Sequence, residues 1–297
     1  MSIASHSASL STNMESLTMD RSCSLKGHVA LITGGGQGIG LMIAKGFVAN
    51  GARVYITGRR MEVLEQAAKE NGLIPLLMDV TSKDSIREAV RRLESEEGKL
   101  DILVNNAGIA GGLSMFISDH DAPEHKNLGE SLFELESYTD KWMSVFSTNS
   151  IAPFFVTTGF LALLEKGALS GSRNGKTSSV INVTSAVTGL NTSSNNFAYG
   201  SSKAALEWLT KSMATEFGLS RIPVRVNGLA PGVVATGLVP MPQEYAEKAL
   251  PGAFQPAPVL RFANTDDMAA AAVYLASQEF VTGTILKVDG GYTLVNP

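Results

Sequence analysis

Short apolar runs rich in β-branched residues alternate with segments of helical periodicity from residue 28 onward. This alternation is typical of βαβ units built into a parallel sheet. Because the connections between parallel strands are right-handed, the pattern predicts a doubly wound α/β fold with helices on both faces of a seven-stranded sheet. The predicted strands are residues 28–33, 53–57, 73–78, 100–104, 179–184, 224–229 and 284–288.

The segments between the predicted strands carry apolar stripes at helical spacing. In one of them Ile86, Ala89, Val90 and Leu93 fall at i, i+3, i+4 and i+7, so one helix face is apolar and packs on the sheet. The longest apolar stretch, residues 151–164, is too short to cross a bilayer and predicts a buried helix.

Two long stretches interrupt the alternation of predicted strands and helices: residues 109–137 and residues 236–258. Loops of this length in a compact domain are usually functional or disordered, and in open α/β sheets the functional loops follow the carboxyl ends of the strands. Neither an internal repeat nor a linker is visible, so residues 25–297 predict a single domain. Residues 1–24 hold eight serines and no apolar run, which predicts a disordered tail rather than a targeting signal.

Composition narrows the functional classes. The chain has 24 Lys+Arg against 28 Asp+Glu, a net charge of −4, so no nucleic-acid partner is expected. Its single cysteine, Cys23, forms neither an internal disulfide nor a thiolate metal site, which favours the cytoplasm. Charged residues make up 18%, below the usual value of about 25%, as expected if partner subunits or small polar residues cover much of the surface.

A glycine-rich turn follows the first predicted strand. Residues 33–40 read TGGGQGIG and lead directly into an amphipathic helix. Glycines there allow close approach of a pyrophosphate, and the free N–H groups of the helix start attract it. The run fits the pattern T-G-x-x-x-G-x-G rather than G-x-G-x-x-G, and no Gly-Lys-Ser/Thr follows, so the turn predicts a dinucleotide site and excludes a Walker A loop.

Two arginines, Arg59 and Arg60, follow the second predicted strand, where an NAD site usually carries an acid for the adenosine ribose. A guanidinium attracts a 2′-phosphate, so the pair predicts NADP(H) in preference to NAD(H). The alternative is that both arginines are merely solvated at a helix start. Asp79, after the third strand, either accepts from the adenine amine or is a helix-start acid.

The motifs that carry chemistry come later in the chain. Tyr199 and Lys203 lie in the sequence YGSSK, 14 residues after Ser185, and NNAG at residues 105–108 follows the fourth strand. With Asn149 and the glycine-rich turn, these motifs resemble the single-domain branch of the short-chain dehydrogenase/reductase family from about residue 25 onward. The resemblance implies a Rossmann-type domain and a catalytic tetrad: Asn149, Ser185, Tyr199 and Lys203.

The loop chemistry and the resemblance together imply a set of cofactor contacts. They are Gly34, Gly36, Gln37, Gly38, Ile39, Gly40, Arg59, Arg60, Asp79, Val80, Asn106, Ala107, Gly108, Tyr199, Lys203, Pro231, Gly232, Val234 and Thr236.

The spacing of Tyr199 and Lys203 agrees with this chemistry. If residues 197–217 are helical, the two side chains share one face, and the ammonium lowers the pKa of the phenol by about 1 to 3 units. Tyr199 then gives a proton to the oxygen of a ketone that receives hydride, while Ser185 holds that oxygen. The resemblance further implies that Lys203 holds the nicotinamide ribose and that Asn149 supports a water relay.

Departures from the family pattern point to the substrate. Residues 115–135 are expected to be an insertion at the pocket rim or an oligomer face, and residues 171–176 a surface loop. Apolar side chains after Thr236 predict a lid over a mainly apolar ketone, with packing at a subunit contact as the alternative. These lid residues are Leu238, Val239, Met241, Tyr245 and Phe254.

The chain is most similar to 3-oxoacyl-thioester reductases, including the rhamnolipid-pathway type. Sugar or polyol reductases and secondary-metabolite ketoreductases share the same core. The family forms homotetramers or homodimers through the helices that contain residues 149–164 and 197–217. A homo-oligomer acting on a small ketone or alcohol is therefore expected.

Other chemistries receive less support. His120 and His125 are five residues apart among acids, a spacing that favours a solvated loop over a metal site. Gly-x-Ser-x-Gly does not occur, so a serine-hydrolase elbow is not indicated. The alternative function is a dinucleotide-binding scaffold with a non-redox role, either a cofactor-sensing regulator or a cyclase-like enzyme.

Overall fold

The computed structural model describes residues 22–170, 176–236, 246–248 and 254–296. Within these ranges the chain forms one parallel sheet of seven strands. The strands are β1 (Val29–Thr33), β2 (Arg53–Gly58), β3 (Ile74–Leu77), β4 (Ile102–Asn105), β5 (Ser178–Val183), β6 (Val224–Pro231) and β7 (Ile285–Val288).

The strand order, β3-β2-β1-β4-β5-β6-β7, places the chain reversal at the centre of the sheet. Ala30 of β1 pairs with Val54 of β2 on one side and with Ile102 of β4 on the other. Successive crossovers therefore run in opposite directions from β1 and β4, which leaves a crevice beyond their carboxyl ends. The predicted functional loops start at this edge.

Helices cover both faces of the sheet. The longer ones are α1 (Gly38–Ala49), α2 (Met61–Asn71), α3 (Lys83–Glu97), α7 (Ala152–Leu169), α8 (Phe197–Leu219) and α9 (Thr265–Ser277). The shorter ones are α4 (Pro123–Lys126), α5 (Leu128–Leu135), α6 (Ser144–Phe146) and α10 (Tyr292–Val295). Two π-helical turns, Tyr138–Met143 and Ser147–Ile151, join α6 and α7 into a single helical stretch, and 3₁₀ turns occupy Met115–Ile117 and Ala186–Gly189.

The core consists of two apolar layers, one on each side of the sheet. Strand β1 shows how the pleat divides them: Ala30 and Ile32 lie in one layer, and Leu31 lies in the other. The first layer contains Phe47 of α1, and the second contains Phe160 of α7. Because both sheet faces are covered, the strands are almost continuously apolar.

The predicted doubly wound sheet is confirmed, with strand ends shifted by a few residues. The largest difference is in β6, which continues to Pro231 and so carries the Pro-Gly turn directly at the sheet edge. The predicted tail lies mostly in residues 1–21, outside the described residues, whereas Cys23 packs against the first core layer. The predicted surface loop at 171–176 falls, up to residue 175, outside them as well.

The insertion is more ordered than a polar loop. Residues 115–135 contain one 3₁₀ turn and the short helices α4 and α5. Glu136 closes the segment, because its carboxylate accepts hydrogen bonds from Ser114, from Lys141 Nζ at 2.6 Å and from Trp142 Nε1 at 3.2 Å. Composition alone did not reveal this polar cluster, since its members are separated along the chain.

The stretch Tyr138–Leu169 is longer than the predicted apolar helix. Among the described residues it is the one helix long and apolar enough to cross a membrane by length and composition, with a mean hydropathy of 1.3 in its most apolar window. Half of that window is buried, and Phe160 and Leu164 belong to the second core layer. Packing against the sheet accounts for its apolar character.

Candidate active site

A cleft of about 750 Å³ opens at the carboxyl ends of the central strands. We call it the central cleft. Seventeen of the predicted cofactor contacts line it: Gly34, Gly36, Gln37, Gly38, Ile39, Arg59, Arg60, Asp79, Val80, Asn106, Ala107, Gly108, Tyr199, Lys203, Pro231, Gly232 and Thr236. Ser185 lines it too. Residues separated by up to 202 positions in the chain (34 to 236) thus share one cavity.

The start of α1 faces this cleft with its N–H donors free of a side-chain cap. Gln37 occupies the cap position and its side chain caps nothing, and no acidic residue lies in the first turn. Gly38 has φ = +56°, a conformation that glycine adopts without strain. An uncapped, acid-free helix start beside glycines fits a diphosphate, because the helix dipole and the free N–H groups both attract an anion.

Asn106 holds the glycine-rich turn in shape. Its Nδ2 donates to the carbonyl oxygens of Thr33 at 2.9 Å and Gly34 at 3.1 Å. The buried hydroxyl of Thr33 accepts in return from the backbone N–H of Asn106 at 2.9 Å and of Ala107 at 3.0 Å. The ends of β1 and β4 are therefore locked together at the cleft floor.

Gly40 is buried beneath this turn rather than lining the cleft. A Cβ atom there would lie 2.5 Å from Asn106 Nδ2 and 2.5 Å from the Gly34 carbonyl oxygen. The predicted direct contact with a cofactor is therefore not seen in the cleft lining, and the glycine is required for packing instead.

Replacing Gly40 with alanine is expected to lower the free energy of unfolding by about 1 to 3 kcal/mol, because the added methyl group overlaps backbone. Gly218→Ala is the control: its Cβ meets nothing within 4 Å, and alanine in a helix is favoured by about 0.5–1 kcal/mol. Denaturant unfolding measures both. Equal stability of the two variants would contradict the packing role.

The other end of the cleft is basic. Arg59 and Arg60 are exposed at the end of β2, and Arg60 Nη2 donates to Gln37 Oε1 at 3.4 Å. Burial alone raises the pKa of Asp79, but hydrogen bonds from Thr81 and the charge of Arg59 lower it below its ordinary value. Asp79 therefore remains an ionised acceptor in the lining. It is not the helix cap, since Ser82 caps α3 by accepting from Ser85 N.

Ser185 and Tyr199 both line the central cleft. Ser185 directly precedes the 3₁₀ turn after β5, and Tyr199 lies in the first turn of α8. Lys203, one turn further along α8, is 4% exposed; its Nζ lies 5.8 Å from the Tyr199 ring centroid and donates to the Val183 carbonyl at 2.8 Å. Three predicted site residues are thereby brought together.

Burial dominates the electrostatics of this group. Burial raises the pKa of Tyr199, an effect that the Ser185 hydroxyl only partly offsets, and it lowers the pKa of Lys203 to about 8. The predicted lowering of the Tyr199 pKa is therefore wrong for the protein alone. The spacing of Tyr199 and Lys203 reveals the nearby ammonium but not the cost of burying a phenolate.

Asn149 lies against the cleft wall and is fully buried in the π-helical turn before α7. Its Oδ1 accepts from Ile109 N at 2.9 Å, and its Nδ2 donates to Ile109 O at 2.9 Å and to Ser202 Oγ at 3.1 Å. The side chain thus ties α8 to the segment that follows β4.

Comparison with known proteins agrees with this geometry. A family model described as enoyl-(acyl carrier protein) reductase matches residues 34–293. The short-chain dehydrogenase/reductase VdtF of Byssochlamys spectabilis is 33% identical over 311 residues, covering 95% of this chain and 98% of that protein. The chain belongs to the short-chain dehydrogenase/reductase family.

Two further relatives of this short-chain dehydrogenase/reductase carry a cofactor in their names. The NADP-dependent (R)-specific alcohol dehydrogenase of Lentilactobacillus kefiri is 35% identical over 275 residues, covering 91% of this chain and 98% of that enzyme. A solved structure titled Pseudomonas aeruginosa RhlG/NADP active-site complex has a TM-score of 0.75 at 29% identity, covering 91% of this chain and 98% of that one.

The opposite side of the central cleft begins at the end of β6. Gly232 has no room for a side chain, since a Cβ there would lie 2.7 Å from Asp289 Cα. Val234 is buried in the first core layer and bridges to Ala263, so it does not line the cleft. Phe254 lines a separate cavity of about 230 Å³, 6.1 Å from the Tyr292 ring. The predicted lid residues Leu238, Val239, Met241 and Tyr245 fall outside the described residues.

Several lining residues were not predicted. Ser144, Ser147 and Thr148 add three hydroxyl residues to the cleft lining, and Ile109 adds an apolar one. The three hydroxyl residues fall at i, i+3 and i+4, so they share one face of a helix, and this spacing is visible in the sequence. The spacing did not identify them as lining residues, because π-helical turns lie on both sides of α6 and interrupt the regular helical periodicity.

Within the described ranges no group of three or more His, Cys, Asp or Glu side chains could hold a metal ion. His120 and His125 lie in the insertion with their rings stacked 4.5 Å apart, and His125 Nδ1 lies 3.0 Å from the Phe116 carbonyl oxygen.

Proposed function

We propose that this protein is an NADP(H)-dependent carbonyl reductase that converts an apolar or acyl-type ketone to a secondary alcohol. The observation that carries the proposal is that Ser185, Tyr199 and Lys203 line one cleft, with Lys203 Nζ 5.8 Å from the Tyr199 ring centroid and with two arginines at the far end of the cleft. When bound, the reduced nicotinamide supplies the hydride. The chain's own residues supply binding, orientation and the proton.

Cofactor binding is assigned to three parts of the central cleft. The uncapped start of α1 holds the diphosphate, and Arg59 binds the 2′-phosphate, where a carboxylate would repel it. Lys203 Nζ lies close to Gly108, since a Cβ atom built on that glycine would be 3.6 Å from it. We assign Lys203 to hold the nicotinamide ribose from this position. The two relatives named with NADP support this preference.

Proton transfer is assigned to Tyr199. Because burial raises the pKa of Tyr199, the phenol is protonated at neutral pH and serves as the acid that reduction requires. Ser185 orients the carbonyl oxygen, and its hydroxyl group, which lowers the pKa of Tyr199, stabilises the phenolate left after transfer. The ammonium of Lys203 provides a second stabilising charge, and Asn149 supports the relay that returns the proton from water.

The substrate class is inferred from the segment next to Tyr199. Leu113 and Met115 are 60% and 57% exposed. They flank Ser114, whose N–H donates to the carbonyl of Asn195 at 2.9 Å, just before α8. Exposed apolar side chains that are tied to the residues just before α8, the helix that carries Tyr199, favour an apolar or acyl-type ketone over a sugar.

The experiment that tests the function follows the absorbance of NADPH with a panel of acyl-thioester, aromatic and sugar ketones. Oxidation of NADPH with the first two classes, and little with sugars, is expected. Absence of turnover with every ketone would favour the scaffold alternative, a dinucleotide-binding protein without redox chemistry.

The rate of reduction is expected to fall as the pH rises through about 8. Lys203 has its pKa lowered from 10.5 to about 8, so its ammonium is present below that value and is lost above it. The pH profile of kcat/KM reports the ionisation of the free enzyme. A profile that stays level a full unit above that pKa would contradict a role for the ammonium.

A homo-oligomer, dimer or tetramer, is part of the proposal. Six large apolar side chains are exposed on or beside α7 and α8: Ile151, Phe154, Leu169, Phe197, Trp208 and Leu219. Burying them between copies of the chain accounts for an apolar surface that water would otherwise contact. A cytoplasmic location is also part of the proposal. It is supported by the single cysteine and by the small-molecule substrate class proposed above.

A further inference from the structure

We infer that Asn196 is a positioning residue that sets the distance between Tyr199 and the wall of the substrate site. This inference rests on the proposed function, and it concerns a residue that lies outside the catalytic tetrad. We call residues 109–114, which follow the Asn106-Ala107-Gly108 turn and lead into the insertion, the wall segment.

The side chain of Asn196 joins two elements through three hydrogen bonds. Its Oδ1 accepts from the backbone N–H of Tyr199 at 3.0 Å, which caps the start of α8. Its Nδ2 donates to the carbonyl oxygens of Ala110 at 2.7 Å and Gly112 at 2.9 Å. The residue is 3% exposed, so these bonds are shielded from water.

The wall segment depends on such contacts because it has no regular secondary structure. Asn149 holds its first residue, Ile109, through both backbone groups. Gly111 and Gly112 have φ values of +75° and +84°, which turn the chain, and Ser114 N bonds to the carbonyl of Asn195. Between these points the carbonyl groups of Ala110 and Gly112 accept from Asn196.

The residue type separates two roles. Capping a helix needs only a side-chain oxygen, which serine or aspartate supplies as well as asparagine. Holding two carbonyl groups needs two N–H donors on the same side chain, which among small side chains only the asparagine amide offers. The amide therefore fixes the wall segment relative to the backbone N–H of Tyr199. A shift of the wall by about 1 Å would displace the bound carbonyl from the phenol.

The first test compares Asn196→Ser with Asn264→Ser. Asn264 caps α9 in the same way, accepting from Asp267 N at 3.2 Å, and is not part of the central cleft lining. Serine keeps both caps. In Asn196→Ser we expect kcat/KM for ketone reduction to fall about 10- to 100-fold with the dissociation constant of NADPH nearly unchanged. In Asn264→Ser we expect both values to stay at the parental level.

A second pair of variants leaves Asn196 in place. Gly112→Ala and Gly98→Ala both add a methyl group that meets nothing within 4 Å, at φ values of +84° and +68°. Both variants carry a similar backbone strain, but only the first moves a carbonyl that Asn196 holds. We expect kcat/KM to fall in Gly112→Ala and not in Gly98→Ala. This pair keeps the test decisive if Asn196→Ser does not fold.

Hydrogen–deuterium exchange supplies a readout that needs no turnover. Amides of the wall segment are expected to exchange faster in Asn196→Ser than in the parent, and to exchange at the parental rate in Asn264→Ser. Parental kinetic constants in both Asn196→Ser and Gly112→Ala, or unchanged exchange in Asn196→Ser, would overturn the positioning role. If the parent reduces no carbonyl compound, the proposed function fails, while the exchange experiment still decides whether Asn196 holds the wall segment.

Discussion

Replacing Tyr199 with phenylalanine is expected to lower kcat for ketone reduction by about 10² to 10⁴, the range typical of losing a general acid. The change removes only the phenolic hydroxyl group of a side chain that lines the cleft. The ring is kept, so the packing around Lys203 and the affinity for NADPH are expected to stay close to those of the parent. Steady-state kinetics and a fluorescence titration with NADPH measure the two effects separately.

A matched control is Tyr274→Phe, which removes the same hydroxyl group from a side chain on α9 that is 42% exposed. This variant is expected to retain full activity. If Tyr199→Phe also retained full activity on the native substrate, proton donation by the phenol would be wrong and the non-redox alternative would gain support.

Replacing Arg59 with alanine is expected to weaken the binding of NADPH by about 10- to 100-fold, the usual cost of losing a hydrogen bond to a charged group. Arg59 is exposed at the end of β2 and lines the cleft together with Asp79. NADH lacks the 2′-phosphate, so its affinity is expected to change little. Titration with each cofactor therefore measures a change in preference rather than a general loss of binding.

Arg87→Ala provides the control for charge. Arg87 is exposed on α3, where it pairs with Asp84, and it does not line the cleft. This variant loses the same formal charge and is expected to bind both cofactors as the parent does. Equal affinity of the parent for NADPH and NADH would contradict the assignment of Arg59 to the 2′-phosphate.

The sheet could be predicted because its strands are buried on both faces and therefore appear as continuous apolar runs. Strand ends were harder to predict, since they depend on pairing with the neighbouring strand. Strand β6 continues to Pro231 because Pro231 pairs with Val288 of β7. The order of the insertion was not predicted either. It depends on Glu136, which accepts from Ser114, 22 residues earlier in the chain.

Within the candidate site, glycines and charges at the ends of strands were the informative signals. They placed Gly36, Arg59 and Gly108 in the cleft lining. Sequence could not show which glycine faces a ligand and which faces backbone, so Gly40 was assigned to the cofactor although it packs against Asn106. The sign of the Tyr199 pKa shift escaped prediction for a related reason: burial is a property of the folded chain.

The most direct measurement of the central claim uses NADPH that carries deuterium at C4 of the nicotinamide, with an aromatic or acyl-thioester ketone as substrate. Mass spectrometry and NMR of the product locate the label. If hydride passes from the nicotinamide to the ketone carbon, we expect an alcohol with deuterium on the carbinol carbon. The parent forms this product, and Tyr199→Phe forms it at a strongly reduced rate. A product without deuterium at that carbon, using either label stereoisomer, would contradict hydride transfer in this cleft.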